Sequence, residues 1–130
     1  MTDSALHKKL IAAAKKARGS AYAPYSKFKV GAALLADGGK IFAGCNVENA
    51  SYGLTQCAER VAIAKAVSEG ARRIRAIAVV AAEGAPISPC GACRQVIYEF
   101  GKEADVLLVS AEGKRVVEKI TTLLPRGFSL

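Results

Sequence analysis

The chain has 130 residues, of which 52% are hydrophobic and 23% are charged, and its net charge is +8 at pH 7. This length suits a single domain over residues 1–130, and the composition is too apolar for an intrinsically disordered protein. Apolar runs such as residues 74–82 are much shorter than the roughly 20 residues of a membrane-spanning helix, and the N-terminal segment lacks the pattern of a signal peptide, so we expect a cytoplasmic protein with no membrane partner.

Hydrophobic periodicity and turn residues predict elements in the order α-β-β-α-β-α-β-β-α. The first helix begins at Ser4, its N-cap, and stops at Gly19. The predicted strands are residues 27–36, 41–47, 73–82, 104–110 and 115–119, and the later helices are residues 57–69, 90–100 and 119–125. Two β-α-β segments predict right-handed crossovers with parallel neighbouring strands in the middle of a mixed five-stranded sheet, with a hairpin at each end. We therefore predict a layered α/β fold.

The positive charge does not by itself indicate nucleic-acid binding. Lysines and arginines are scattered along the chain, with short clusters such as residues 72–75, and the sequence has no Trp. Aromatic residues do not alternate with the basic ones, as a stacking platform for bases requires. We interpret the basic residues as a solvated surface and expect no nucleic-acid partner.

The cysteines are the first indication of a chemical site. Cys90 and Cys93 form a C-x-x-C directly after Pro89, in the first turn of one predicted helix, and Cys57 lies in the first turn of another. Both helices follow loops that leave the same region of the sheet, so three sulfur atoms can meet at two helix N-termini. Backbone N–H groups and the helix dipole stabilise thiolates there, and the thiolate is the form that binds metal.

Three thiolates around Zn²⁺ leave one tetrahedral position open for water, which is typical of a catalytic zinc site. Glu59 lies two residues after Cys57, where its carboxylate could take a proton from water and redeliver it. The alternative is that Glu59 is a first-turn acid that only favours the helix dipole. Arg60 and Arg94 lie close in sequence to sulfur ligands and could offset the negative charge by hydrogen bonding to sulfur, or they could be surface cations.

Other interpretations of the cysteines compete with a catalytic metal site. The C-x-x-C could be a thioredoxin-like redox pair, but that leaves Cys57 and Glu59 unexplained. Cys45 could complete a closed structural site of four cysteines, although its position at a strand end favours a small buried core residue. A disulfide-stapled secreted scaffold is disfavoured, because four cysteines are few for this length and no secretory signal accompanies them.

The combination of Cys-Ala-Glu with Pro-Cys-x-x-Cys resembles the signature of the zinc-dependent nucleoside and nucleobase deaminases. Within that superfamily the chain resembles the cytidine deaminases of the short, homotetrameric kind over nearly its whole length. The matching segments are "APYSKFKVGAAL", "GCNVENASYG", "CAER", "AVSEG", "SPCGACRQV" and "LLPRGF". The resemblance implies a three-layer α/β/α cytidine-deaminase-like fold, one Zn²⁺ per subunit, and a homotetramer whose sites are shared between subunits. The implied reaction is hydrolytic deamination of cytidine and 2′-deoxycytidine to uridine and 2′-deoxyuridine plus ammonia, in pyrimidine salvage.

The resemblance also assigns individual residues. It places zinc on Cys57, Cys90 and Cys93 and proton transfer on Glu59. The residues that it implies at the substrate or at the shared site are Phe28, Asn46, Glu48, Ala50, Ser51, Tyr52, Ala58 and Phe128. On an extended segment, an amide and a carboxylate that are separated by one residue point the same way. Residues 46 and 48 could therefore hold adjacent ribose hydroxyls. The alternatives are turn chemistry after a strand for these two residues and a core position for Phe28.

Three rival functions stay open at this point. A polynucleotide-editing deaminase shares the zinc signature, but residues 46–48 gripping a free ribose would close the site where a strand must continue. A related small-molecule deaminase, such as the blasticidin type, is disfavoured by the full segments 24–32 and 46–53. A non-enzymatic zinc-binding module predicts that Cys45 is a fourth ligand.

Overall fold

The computed structural model describes residues 3–130, and for Asp3 the backbone alone. The helices are α1 (Asp3–Arg18), α2 (Ala58–Ser68), α3 (Gly91–Phe100) and α4 (Ile120–Leu123). The strands are β1 (Val30–Ala36), β2 (Ile41–Cys45), β3 (Ile74–Ala81), β4 (Asp105–Val109) and β5 (Arg115–Lys119). Short 3₁₀ turns occupy Asp37–Gly39 and Tyr52–Leu54. The predicted order of helices and strands is therefore confirmed.

The five strands form one mixed sheet in the order β2-β1-β3-β4-β5. The hairpins β1–β2 and β4–β5 lie at its two ends, β1 pairs with β3 antiparallel, and β3 pairs with β4 parallel. The prediction that both crossovers join parallel neighbours is wrong for the first of them, because β1 lies between β2 and β3. All seven residues of β1 are buried, so this strand belongs in the middle of the sheet rather than at an edge.

Helices cover both faces of the sheet and give three layers. Alternate residues of β1 point to opposite faces. On one face Leu34 packs in a core with Ile63 of α2, Ile97 of α3 and Ile120 of α4. On the other face, Leu10 and Ala14 of α1 pack against the sheet. The strand residues of that core include Leu35, Val80 and Leu107. The predicted three-layer α/β/α fold is confirmed.

Helix α3 connects β3 to its parallel neighbour β4, so it runs in the direction opposite to both strands. At its end, a Cβ placed on Gly101 would come within 2.5 Å of the Ile74 carbonyl oxygen, so glycine allows the chain to pass directly over the start of β3. Ten helical residues span about 15 Å, which carries the first turn of α3 toward the carboxyl end of β3.

Over residues 3–130, no helix combines the length and apolar content that a membrane span requires.

Candidate active site

Three cysteine sulfurs converge where α2 and α3 begin. The sulfur atoms of Cys57, Cys90 and Cys93 all lie within 4.8 Å of one another. Cys57 and Cys90 are the N-cap residues of α2 and α3, one position before the first turn in which we predicted them. Cys93 is buried, Cys57 is half-buried and Cys90 is exposed. The Cys90 sulfur accepts a hydrogen bond from the Cys93 amide at 3.5 Å, so the cap geometry itself turns the sulfur toward its neighbours.

The electrostatics of the cluster favour a cation. A hydrogen bond from Cys93, with a further contribution from Arg60, lowers the pKa of Cys57 to about 5. The same hydrogen bond, together with burial, raises the pKa of Cys93. The Cys93 thiol therefore keeps its proton beside the Cys57 thiolate unless a positive charge lies among the sulfur atoms. Three sulfur donors in this arrangement fit a soft, tetrahedral ion such as Zn²⁺.

Cys45 stands apart from this cluster. It is half-buried at the end of β2, where it pairs with Gly31 of β1. Among residues 3–130, it is not part of a group of metal-ligating side chains whose donor atoms lie this close together. The site thus offers three protein donors rather than the closed set of four that a structural zinc site requires.

Glu59 is the buried acid of the site. It is the second residue of α2 and only 5% of it is exposed. Burial raises the pKa of its carboxyl group, and the negative charge of Cys57 acts in the same direction. The carboxyl also lies within hydrogen-bonding reach of the Cys93 thiol. Its raised pKa makes Glu59 a candidate for acid–base chemistry near neutral pH.

Arg60 contacts a sulfur directly. Its Nη2 atom lies 3.8 Å from the Cys57 sulfur and donates to the Thr55 carbonyl oxygen at 3.1 Å. Its Nε atom is buried without a hydrogen-bond partner within residues 3–130. The guanidinium therefore lies where it can reduce the net negative charge of a thiolate cluster.

Arg94 is placed differently from the sulfur contact that we considered. Its Nε donates to the Pro89 carbonyl oxygen at 2.8 Å, its Nη1 to the Leu123 carbonyl oxygen at 2.7 Å, and its Nη2 to the Ser88 hydroxyl at 2.6 Å. The guanidinium thus ties the segment before Cys90 to α4.

The amide and the carboxylate predicted for ribose also hold the loop beside them. The Asn46 side chain accepts from the Val30 amide and donates to the Phe28 carbonyl oxygen, both at 2.9 Å. The Glu48 carboxylate accepts from the backbone amides of Tyr25 and Ser26 and from the Ser26 hydroxyl. The hydrogen bond from the Ser26 hydroxyl is the main cause that lowers the pKa of Glu48. Both side chains keep some hydrogen-bonding capacity beyond these contacts.

The remaining predicted residues fall into two groups. Ala58 is buried at the start of α2, and Phe28 is partly buried against the α2–α3–α4 core. In contrast, Ala50, Ser51 and Tyr52 are exposed, and Tyr52 packs edge-on against Tyr25 with ring centroids 6.2 Å apart. Phe128 is 68% exposed. The structure of one chain therefore gathers the sulfurs, Glu59 and Arg60, and leaves Tyr52 and Phe128 on its surface.

Sequence reasoning missed residues that fasten the site's surroundings. Ser26 holds Glu48, as described above. Gln95 donates from Nε2 to the Phe128 carbonyl oxygen at 3.0 Å and accepts from the Phe128 amide at 3.3 Å. The ring of Tyr98 lies so close to Gly127 that a Cβ there would be 2.7 Å from it. Gln95 lies within the quoted segment "SPCGACRQV", but nothing in the sequence indicates that its partner lies in the C-terminal tail.

Comparison with known proteins agrees with this geometry. Residues 4–109 match the family described as "Cytidine and deoxycytidylate deaminase zinc-binding region". The chain belongs to this family. The match spans Cys57, Cys90 and Cys93, so the predicted zinc cofactor and the predicted class of enzyme are confirmed.

Individual relatives are similar over almost their full length. A cytidine deaminase from Sporosarcina psychrophila is 56% identical over 122 residues, which cover 93% of this chain and 90% of that protein. The crystal structure of cytidine deaminase from Burkholderia pseudomallei superposes with a TM-score of 0.91 at 54% identity, covering 98% of this chain and 100% of the other. The cytidine deaminase structure from Mycobacterium tuberculosis gives a TM-score of 0.84 at 41% identity, with 100% of each chain covered.

Proposed function

We propose that the chain catalyses the hydrolytic deamination of cytidine and 2′-deoxycytidine, giving uridine or 2′-deoxyuridine and ammonia, as a step of pyrimidine salvage. The observation that carries this proposal is the buried carboxyl of Glu59 beside three sulfurs that lie within 4.8 Å of one another. We further propose that residues 1–130 act as one deaminase domain, since sequence similarity extends over 93% of the chain.

In the proposed reaction Cys57, Cys90 and Cys93 hold the zinc ion. When bound, zinc offers a coordination position for water and lowers the pKa of that water. Three negatively charged sulfur atoms weaken the zinc ion as a Lewis acid. The positive charge of Arg60 offsets part of their negative charge and so counteracts this effect. Its contact with the Cys57 sulfur at 3.8 Å supports this role.

Glu59 moves the protons. It takes a proton from the attacking water and delivers it to N3 of the cytosine ring as oxygen adds to C4. It then takes the proton of the hydroxyl group now on C4 and transfers it to the amino group, so that the C4–N bond breaks, ammonia leaves and the C4 carbonyl of the product forms. Burial that raises the pKa of the carboxyl supports both transfers, since general acid–base catalysis works best when the pKa of the group lies near the working pH.

We assign substrate contacts to the residues named by the family resemblance. Asn46 and Glu48 would bind the ribose hydroxyls with the hydrogen-bonding capacity that the loop contacts leave. Phe28 would flank the pyrimidine, and the backbone at Ala58 would hold the base amide. The Asn46 contacts with Val30 and Phe28 support this assignment, since they place Phe28 and Asn46 side by side.

We also propose a homotetramer in which neighbouring chains complete each site, in the cytoplasm. Tyr22, Tyr25, Val47, Tyr52 and Leu54 are large apolar residues that are between 42% and 76% exposed. They lie on connected segments, because Val47 bridges to Tyr22 and Tyr25 packs against Tyr52. An apolar surface of this kind is typical of a protein interface. Ala50, Ser51 and Phe128, also on the surface, would reach a partner's site.

The proposed location in the cytoplasm is supported by the four free cysteines, which suit a reducing compartment.

A polynucleotide substrate is the second candidate, and the charge distribution disfavours it. The basic cluster Arg72, Arg73 and Arg75 lines a cleft of about 820 Å³ that also contains Glu99, Glu103 and other acids. This cleft lies where α3 ends, about 15 Å from the start of α3, where Cys90 is the N-cap residue. Its cations therefore do not extend the candidate active site into a basic groove.

The test follows the ultraviolet absorbance of cytidine with purified protein, before chelation, after chelation and after zinc is restored. We expect loss of cytidine that stops on chelation and resumes with zinc. A cytosine-containing oligonucleotide, assayed in parallel, should remain unchanged. If cytidine is stable under all three conditions, the proposal is wrong, and if the oligonucleotide reacts faster than cytidine, the second candidate replaces it.

A further inference from the structure

We infer that Arg94 is a positioning residue for the metal site, acting on the backbone of Cys90 rather than on a sulfur atom. The inference rests on the proposed function, because it assumes that Cys57, Cys90 and Cys93 hold zinc. It differs from charge compensation, in which the guanidinium would contact a thiolate.

The hydrogen bonds of Arg94 hold the chain on both sides of Cys90. The Pro89 carbonyl, which accepts from Arg94 Nε at 2.8 Å, belongs to the peptide bond that enters Cys90. The Cys90 carbonyl, on the other side, accepts from the Arg94 backbone amide at 2.9 Å. Two bonds from one residue therefore restrain the backbone atoms that carry the Cys90 side chain.

The segment that precedes Cys90 needs such an anchor. Ala82, Glu83, Gly84, Ala85 and Ser88 are all exposed, whereas Pro89 is buried. A mostly exposed segment makes few packing contacts and moves more easily than the elements that it joins. The bond from Arg94 Nη2 to the Ser88 hydroxyl at 2.6 Å adds a second hold on this segment.

Helix α4 supplies the fixed point against which Arg94 holds the segment. Arg94 Nη1 donates to the Leu123 carbonyl oxygen at 2.7 Å. Ile120, which begins α4, is fully buried in the core, and its amide donates to the Ala104 carbonyl oxygen. The planar guanidinium can serve three acceptors in one plane, which a lysine ammonium on a flexible stem cannot reproduce.

The test measures metal affinity without substrate. Apoprotein is titrated with Zn²⁺ in competition with a chromophoric chelator, and with Co²⁺ to record the thiolate-to-cobalt absorption. Arg94→Ala should bind zinc about 10- to 100-fold more weakly, the usual effect of removing a group that orients a metal ligand. Arg94→Lys should recover part of this loss, and the cobalt spectrum of both variants should change.

Matched variants separate positioning from general stability. Arg72→Ala also removes an arginine that donates to two backbone carbonyl oxygens, those of Val67 and Ala71, but at the far end of α2. It should leave zinc affinity and the cobalt spectrum unchanged. Ser88→Ala should weaken zinc binding less than Arg94→Ala, because it removes only one of the three hydrogen bonds of the guanidinium. Adding Ser88→Ala to Arg94→Ala should change the affinity little further, since the contact between the two side chains is already lost.

The outcomes distinguish this inference from the proposed function. If the parent binds zinc without deaminating cytidine, the proposed function fails. The zinc affinity of each variant relative to the parent then still decides the role of Arg94. If the parent binds no zinc, both are wrong. If folded Arg94→Lys and Ser88→Ala variants bind zinc as tightly as the parent with unaltered cobalt spectra, Arg94 does not position the ligand. These two milder variants carry the test should Arg94→Ala fail to fold.

Discussion

Gly44 of β2 lies directly against Ala62 of α2: a Cβ at position 44 would stand 2.6 Å from the Ala62 amide nitrogen and 3.0 Å from the Ala58 carbonyl oxygen. Both contacts are with backbone atoms, which cannot rotate away as a flexible side chain can. The absence of a side chain at residue 44 therefore sets how deeply α2 sits on the sheet, and α2 carries Cys57 and Glu59 at its start.

Gly44→Ala should therefore displace α2 and weaken the site together with the fold. Overpacking of this kind costs about 1–3 kcal/mol, and we expect a loss of this size in the free energy of unfolding by denaturant, with weaker zinc binding. Gly19→Ala is the control, because a Cβ there would meet the Lys16 carbonyl oxygen at an ordinary 3.4 Å. Equal stability of the parent and Gly44→Ala would show that α2 can shift without cost.

Glu59→Gln should separate catalysis from metal binding. The amide keeps the shape of the side chain but cannot accept and return a proton, so the rate of cytidine deamination should fall by at least about 100-fold. Zinc content, measured by elemental analysis, should stay at one ion per chain, because Glu59 is not among the three sulfur donors. Substantial turnover by this variant would rule out the proposed proton transfers.

Serine substitutions at the cysteines should divide them into two sets. Cys57→Ser, Cys90→Ser and Cys93→Ser each remove one of the converging sulfurs, and we expect purified protein to lose most of its zinc and its activity. Cys45→Ser is the matched control, since Cys45 lies outside this cluster. A variant at Cys45 that loses its zinc would instead indicate a closed site of four cysteines.

The contact between Glu48 and Ser26 predicts a stability change at acid pH. The hydrogen bond from the Ser26 hydroxyl lowers the pKa of Glu48 below its ordinary value of 4.5, so near that pH the folded protein binds fewer protons than the unfolded chain. The carboxylate therefore adds stability above about pH 4.5, and this contribution disappears as the pH falls through the lowered folded-state pKa.

Urea unfolding as a function of pH measures this effect. Glu48→Gln should be less stable than the parent at neutral pH, and the two denaturation midpoints should converge as the medium becomes acidic. Ser26→Ala should reproduce part of the neutral-pH difference. A gap between the parent and Glu48→Gln that is constant across the pH range would mean that the hydrogen bonds seen here do not favour the ionised form.

Leu54→Asp should disrupt assembly if the exposed apolar surface is an interface. Leu54 is 63% exposed on the segment that carries Tyr52, and a buried, unpaired carboxylate at an interface is strongly unfavourable. Light scattering coupled to gel filtration should show a tetramer for the parent and smaller species for the variant. Val116→Asp, at a position that is 47% exposed on the edge strand β5, serves as the control.

Local features of the fold were predictable, whereas strand order was only partly so. Helix α3 was expected at residues 90–100 and occupies Gly91–Phe100, because Pro89 and Gly101 mark its limits. The position of β1 between β2 and β3 depends on pairings between residues far apart in the chain, such as Ala33 with Ala78. Hydrophobic periodicity reports which faces are buried, but it does not report which strands are neighbours.

The same distinction holds in the candidate site. Cys57, Cys90 and Cys93 could be grouped from the sequence because each lies at or near the start of a helix, and helix starts favour thiolates. The partners of Arg94 and Glu48 could not be predicted, because they depend on where the chain places Leu123 and Ser26. Long polar side chains choose their acceptors only after the backbone has folded around them.

The path of the last residues has a practical consequence for protein engineering. The Phe128 backbone is hydrogen-bonded to the Gln95 side chain, and Gly127 lies against the Tyr98 ring. Gln95 and Tyr98 both belong to α3, the helix that carries Cys93. Only two residues would separate this attachment from any residues fused after Leu130. A purification tag or fluorescent reporter at that end would disturb the contacts between the C-terminal segment and α3. A cleavable C-terminal fusion should therefore be removed before kinetics or metal content are measured.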